Sequence, residues 1–341
     1  VTPDIFGRKV HSMGKNIFRS SVMIVVLLAC GAAARAQSQV FVSAATGNDA
    51  NQCTRSLPCL TLAGGLAHVQ AGGTVTALDS GEYGNVTINQ SVQIEAAPGV
   101  RASVTATGAT YGVTVNAGTS NVVVLRGLRI GGGYYGVYFN GAGTLDIEDC
   151  VLDGSTNGGI MFLPNAASQI FVTNTTVRNT TNGTGIQVQS DNGLARATIS
   201  HCLIEKSYIA GISALNYAAV TVRDTVATGN TAGFLTNSYT SGATTEMSIE
   251  NCLATGGKFG IETSNSGIGA QVVSVSRSTT TGNSYGIYAG NPSTVRVSDT
   301  TITRNFDGLV NATGGSLLSR LNNTLEANTY DGTFTGTFGA K

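Results

Sequence analysis

The stretch "VRVSDTTITRNFDGLV" at residues 295–310 restates a pattern used many times earlier in the chain. "LDIEDCVLDGSTNGGI" (145–160), "IFVTNTTVRN" (170–179) followed by Gly185-Ile186, "ATISHCLIEKSYIAGI" (197–212), "VTVRDTVATGNTAGF" (220–234), "MSIENCLATGGKFGI" (247–261) and "VSVSRSTTTGNSYGI" (273–287) share its frame. Each unit is a short alternating strand, a polar residue, a small residue, a polar turn often holding Asn, and then Gly with an apolar residue. The closing glycines are Gly136, Gly159, Gly185, Gly211, Gly233, Gly260, Gly286 and Gly308, with gaps of 22 to 27 residues. That period is the period of one coil of a parallel β-helix. The expected fold is therefore all-β, a single-stranded right-handed parallel β-helix, its hand following the rule for parallel crossovers.

Composition supports the same class. With 45 glycines and only 11% charged residues, the chain is rich in residues that suit strands and tight turns rather than helices. Net charge is zero and there is no basic run, so the electrostatic footprint of a nucleic-acid binder is missing and no nucleic-acid partner is expected.

Strands of successive coils lie about 4.8 Å apart in parallel register, so equivalent residues stack along the axis. Ile147, Val172, Ile199, Val222, Ile249, Val275 and Val297 then form one inward ladder. Gly127, Cys150, Thr175, Cys202, Thr225, Cys252, Ser278 and Thr300 form a ladder of small residues at a tight inward corner. Its cysteines fall on alternate coils, about 9 to 10 Å apart, which is too far for a disulfide. No metal site is expected from them. Asn157, Asn182, Asn230, Asn283, Asn305 and Asn328, a few residues before the closing Gly, read as structural turn residues that tolerate left-handed backbone and bond neighbouring amides.

The N-terminus carries an export signature: Lys15 and Arg19, the apolar run "VMIVVLLAC" (22–30) and "ARA" at 34–36. Residues 1–36 are read as a signal peptide with Met13 as the true start, and residues 37–341 as the β-helix domain. Acylation at Cys30 in a lipoprotein box is the competing reading. The protein is thus expected in the periplasm, at the cell surface or outside the cell, with no transmembrane helix once the signal is removed. Cys53 and Cys59 flank the short loop "TRSLP" and are expected to pair in an oxidising compartment.

A solenoid must cover its ends. Residues 37–85 are read as the N-terminal cap and opening, with a capping helix in "CLTLAGGLAHVQAGG" (59–73) burying Leu62, Leu66 and Val69, and with His68 a cap or surface residue. Residues 86–316 hold the coils. Residues 317–341 form a degraded last coil and C-terminal cap, with Phe334 and Phe338 placed to plug the opening.

The start of the domain adds a resemblance. A strand, Gly47-Asn48-Asp49, a turn from Pro58 to Thr61 into a helix, and Gly81-Glu82-Tyr83 before the first coil make this region similar to that of many secreted bacterial pectate-lyase-like right-handed β-helix proteins. The resemblance spans nearly everything after residue 37. It implies the fold, but not one activity, because such proteins include polysaccharide lyases, glycoside hydrolases, epimerases, tailspikes and adhesins. The Asn-Thr-Asp, Asp-Asp, Gly-His-Gly and Arg-Ile-Lys motifs of the hydrolase members are absent, as is the epimerase-like Asp-Pro-His-Glu. No cofactor is expected, and calcium only if the protein is a lyase.

Two outward columns remain for chemistry. The polar residue before the small ladder gives Arg126, Asp149, Asn174, His201, Asp224, Asn251, Arg277 and Asp299. Within it His201 neighbours Asp224, and Arg223 neighbours Glu250, so His201, Asp224 and Arg223 are the candidate acid/base residues, set against a reading of ion pairs that fix strand register. The second column follows the closing Gly: Tyr138, Met161, Gln187, Ser213, Leu235, Glu262, Tyr288 and Val310. Tyr134, Tyr135 and Tyr138 cluster there and are the candidate ligand-binding residues, since tyrosines on a flat sheet can stack on sugar rings. The expected role is non-catalytic, in contact with a polysaccharide or cell-surface glycan. The alternatives are a divergent polysaccharide lyase, epimerase or glycoside hydrolase, and a purely structural envelope component.

Overall fold

The computed structural model describes residues 37–312 and 314–339. The expected signal segment 1–36, with Met13 and Cys30, lies outside the described residues. What is described is a parallel β-solenoid of about ten turns with one short helix.

A single coil shows the plan. Gly143–Glu148 lies on one face (face B), Val151–Asp153 on a second (face C) and Gly158–Phe162 on a third (face A), after which Ser168–Thr173 begins the next coil on face B. All three faces pair in parallel from coil to coil. Face C is an 11-stranded sheet, whereas A and B join in a 21-stranded sheet. The join arises where Thr184–Ser200 and Ala210–Arg223 run from A into B as unbroken strands.

Alternation makes these residues strands and decides which way they face. The expected inward ladder from Ile147 to Val297 stacks in register, and none of its members is more than 1% exposed. Each such side chain contributes about 1.5–3 kcal/mol of burial, against which the ordering of its own backbone must be set. The closing glycines are needed for space. A Cβ on Gly159 would lie 2.7 Å from the carbonyl oxygen of Gly185, and the same approach to the next coil recurs from Gly136 through Gly286.

The small-residue ladder is buried and also satisfies backbone. Thr175 Oγ1 donates to Thr173 O at 2.9 Å and accepts from Cys150 N at 3.3 Å; Thr225 does the same with Arg223 O at 2.8 Å and Cys202 N at 3.3 Å. Cys150, Cys202 and Cys252 are free, buried thiols, and burial pushes the Cys150 thiol up to about 12. At the first member of that ladder the frame differs from the expectation. Glu148 pairs with Arg126 and Val151 with Arg129, so Gly127 occupies the corner position of Asp149, and Leu128 takes the small-residue position. Gly127 has φ +68, a left-handed corner that Gly adopts without strain, and the coil is wide enough there to hold a leucine.

The turn asparagines bond neighbouring amides as expected, but without the left-handed backbone. None of Asn230, Asn283, Asn305 and Asn328 has positive φ. They act through their side chains: Asn283 Oδ1 accepts from Gly257 N at 3.1 Å, Asn305 Oδ1 from Asn283 N at 3.0 Å and Asn328 Oδ1 from Asn305 N at 2.9 Å. Asn157 stands outside this ladder and donates to the Tyr135 hydroxyl at 2.7 Å.

The caps follow the sequence in outline. The helix spans Leu62–His68, shorter than the expected stretch because Val69 turns into a strand at the C-cap. Thr61 caps its N-terminus, accepting from Gly64 N, and Leu62 packs into the core. Cys53 and Cys59 are disulfide-bonded with Cα atoms 4.6 Å apart. At the other end Thr324–Glu326 still pairs with the coil below, and Phe334 packs against the core. No helix among the described residues is long and apolar enough to cross a membrane.

Candidate functional site

The acid/base candidates sit where the chain turns from face B to face C. Asp149, Asn174, His201, Asp224, Asn251, Arg277 and Asp299 all have φ between 47° and 54°, and all are exposed. The left-handed residue makes the bend and throws its side chain outward, so the column is a convex ridge. Along it the groups pair with one another. His201 Nε2 lies 3.6 Å from Asp224 Oδ2, while Asn251 donates to Asp224 Oδ1 at 2.5 Å. Arg223 turns away to Glu250, at 3.2 Å, and Arg277 joins the same carboxylate. The three candidates therefore do not converge on a common point. Exposed pairs of this kind contribute about 0–1 kcal/mol each and suit a role in register.

Face A is built differently. The column from Tyr138 to Val310 stacks in the expected order, each residue paired with the next. A second outward column, not singled out in the sequence, is set by the residue before the closing Gly. Tyr111, Tyr135 and Gly158 occupy it in successive coils, and Ala210, Ala232, Phe259, Tyr285 and Asp307 occupy it further along. At one end Tyr111, Tyr134, Tyr135 and Tyr138 form an aromatic cluster. Tyr135 and Tyr138 are stacked with centroids 5.6 Å apart, Tyr111 lies 4.6 Å from Tyr138, and Tyr134 meets Tyr135 edge-on at 4.9 Å. Burial raises the Tyr135 and Tyr138 hydroxyls above their ordinary range, so they stay neutral hydrogen-bonding groups.

At the other end Phe259, Tyr285 and Tyr288 form a second cluster. Phe259 and Tyr285 stack at 5.1 Å, and Tyr288 stands nearly edge-on to both, at 5.3 and 5.9 Å. With Lys258, Glu262, Ser264, Asn265 and Ser266 they line a cleft of about 330 Å³. Glu262 is half-buried, and burial pushes its carboxyl up to about 7, opposed only by the more distant Lys258 charge. The Lys258 ammonium sits over the Phe259 ring, 4.9 Å from its centroid. Asn265 Nδ2 donates to the Tyr288 hydroxyl at 2.5 Å. Six strand steps separate Tyr138 from Tyr288 on the same column, about 29 Å at the parallel-strand spacing.

A larger groove of about 450 Å³ crosses face B, between Arg196 and Glu246 and over Thr198, Thr221 and Ser248. It lacks an aromatic cluster, a feature that marks a binding site more specifically than volume does. Calcium, which the resemblance implies for a lyase, needs six to eight oxygen ligands. Among the described residues the only group of three or more His, Cys, Asp or Glu side chains at ligand spacing is Cys53, Cys59 and His68, whose two sulfurs are bonded to each other. The donor set does not fit that ion.

Comparison with known proteins agrees with this architecture. The model of the right handed beta helix region matches residues 84–246. The structure is similar to that of pectate lyase Pel9A, with a TM-score of 0.57 at 17% identity over 89% of this chain and 78% of that one. It is similar to a rhamnogalacturonan lyase, with a TM-score of 0.56 at 16% identity over 87% and 88% of the two chains. A complex of XylC with xylose gives a TM-score of 0.53 at 9% identity over 83% and 72%. No curated protein matches the sequence. The chain has the right-handed parallel β-helix fold.

Proposed function

We propose that this is an exported protein that binds a glycan chain along face A without altering it covalently. One observation carries the reading: two aromatic clusters, Tyr111/Tyr135/Tyr138 with Tyr134 beside them and Phe259/Tyr285/Tyr288, occupy the same pair of outward columns, Tyr138 and Tyr288 about 29 Å apart. Flat aromatic faces offer the C–H face of a sugar ring a large apolar contact with little ordering cost, and two clusters on one axis suit an extended chain. Export rests on the segment before residue 37.

On face A, binding is preferred over hydrolysis because of the carboxylate arrangement there. Glycoside hydrolysis commonly uses two carboxyl groups about 5–9.5 Å apart. Asp307, in the neighbouring column, is two strand steps and three residues from Glu262, a separation of about 14 Å. The test is retention on immobilised polysaccharides, neutral and acidic, with product analysis in parallel. The expected result is retardation that Tyr135→Ala and Tyr288→Ala each weaken, with no change in chain length or unsaturated ends. Failure of every polysaccharide to retain the protein would remove the reading.

A further inference from the structure

The cleft around Glu262 permits a sharper statement, which rests on the glycan-binding reading of face A. Its walls are three rings in two orientations, Phe259 and Tyr285 near-parallel and Tyr288 across them, so a ring seated on one wall is bounded edgewise by the other. Its polar groups converge from two adjacent coils: Lys258, Glu262, Ser264, Asn265 and Ser266 from one, and the Tyr288 hydroxyl from the next. Small-ligand sites combine apolar walls with a few directed polar groups, and this cleft holds both, in a more polar mix than most.

Charge selects among possible ring types. The titratable groups facing Glu262 are Lys258, just before its own strand, and Tyr285 and Tyr288 on the next coil, while its partner on the preceding coil is Leu235. The cleft thus holds one acid and one base. Above neutrality, where Glu262 is ionised, a ligand carboxylate would meet its charge, and at any pH a ligand ammonium would meet Lys258, which is held over the Phe259 ring. A ring bearing only hydroxyls meets neither penalty and can bond both.

We propose that this cleft is a subsite for a neutral pyranose ring, stacked on the Tyr285–Tyr288 wall, with Glu262 as the group that hydrogen-bonds its hydroxyls. Seating the ring takes further water from a carboxyl whose proton affinity is already governed by burial. Glu262 therefore takes up a proton as the ring binds, and affinity falls as pH rises through neutrality, by about tenfold for each unit by which the ring raises the carboxyl.

Titration calorimetry of the whole domain from Gln37 onward tests this. The probes are xylohexaose as the neutral oligomer, a galacturonic acid hexamer as the anionic one and a glucosamine hexamer as the cationic one. Each is run at about pH 5.5, about pH 7.5 and about pH 8.5 in buffers of different protonation enthalpy. Proton uptake is read at about pH 7.5, where the free carboxyl is largely ionised. The anionic comparison is read at about pH 8.5 and the cationic one at about pH 5.5, where the amines are charged. Expected are preference for the neutral oligomer, tighter binding at the lower pH and net proton uptake. Glu262→Gln should remove the pH dependence and the uptake, and Tyr138→Ala should weaken binding while leaving both. Preference for a charged oligomer, pH-independent binding, or indifference to both Tyr288→Ala and Glu262→Gln would overturn the proposal. If Tyr138→Ala still weakens binding in that last case, the face A reading survives without it. No binding by any oligomer would overturn both.

Discussion

Two polar columns run along the solenoid, and they differ in what surrounds them. The corner ridge from Asp149 to Asp299 has the residue types of an acid/base site, yet every side chain is exposed, and His201, Asp224 and Arg277 are engaged by neighbours one coil away. Face A has few charges, but its rings enclose Glu262 and shift its proton affinity. Reactive residue types on adjacent coils are not enough to make a site. Enclosure is what changes their properties, and a convex left-handed corner provides none.

The largest expected effect separates the columns by binding. Tyr138→Ala combined with Tyr288→Ala should lower glycan affinity about a hundredfold, at about 1.4 kcal/mol for each ring. His201→Ala combined with Asp224→Ala should leave affinity unchanged when measured beside it by calorimetry.

Stability against pH gives the next contrast. Because the folded carboxyl of Glu262 is raised to about 7 by burial, its contribution is fully present below the ordinary carboxylate range. It is lost as pH rises through neutrality, by about 1–3 kcal/mol. Urea unfolding at about pH 4.5 and 8 should show this loss in the wild type and a smaller one in Glu262→Gln. A pH response unchanged by the substitution would show that the cleft leaves the carboxyl in water.

On the ridge, backbone angle should matter more than charge. Asp224 has φ +49, so Asp224→Val places a β-branched residue in a left-handed corner and should cost about 1–2 kcal/mol, while Asp224→Gly should stay within about 1 kcal/mol of wild type. Thermal unfolding of the pair reads the difference. The smallest effect is that of Glu250→Gln, which releases Arg223 and Arg277 and should cost about 0.5 kcal/mol, vanishing in high salt.

The solenoid was legible because stacking forces the same residue type into the same place in every coil, as the ladder from Ile147 to Val297 shows. The frame slipped by one residue at Arg126 and Gly127 because that coil has neither Cys nor Thr at the corner, leaving only the strand pairing to fix it. Tyr134, Tyr135 and Tyr138 were visible as a local run. Tyr111, Phe259 and Tyr285 were not, although each precedes a glycine, as Tyr135 does, and that position forms an outward column of its own. The surroundings of Glu262 could not be read in advance, since its burial depends on rings contributed by two different coils.

The central claim is that face A, and not the corner ridge, is the working surface. The most direct test is to carry two multiple variants through one polysaccharide panel, with and without calcium, recording both retention and product formation. One variant removes Tyr135, Tyr138, Tyr285 and Tyr288; the other removes His201, Arg223 and Asp224. The account predicts that the first loses retention, that the second keeps it, and that neither the wild type nor the variants yield products. Turnover by the wild type that disappears in the ridge variant, or retention that survives loss of all four tyrosines, would contradict it.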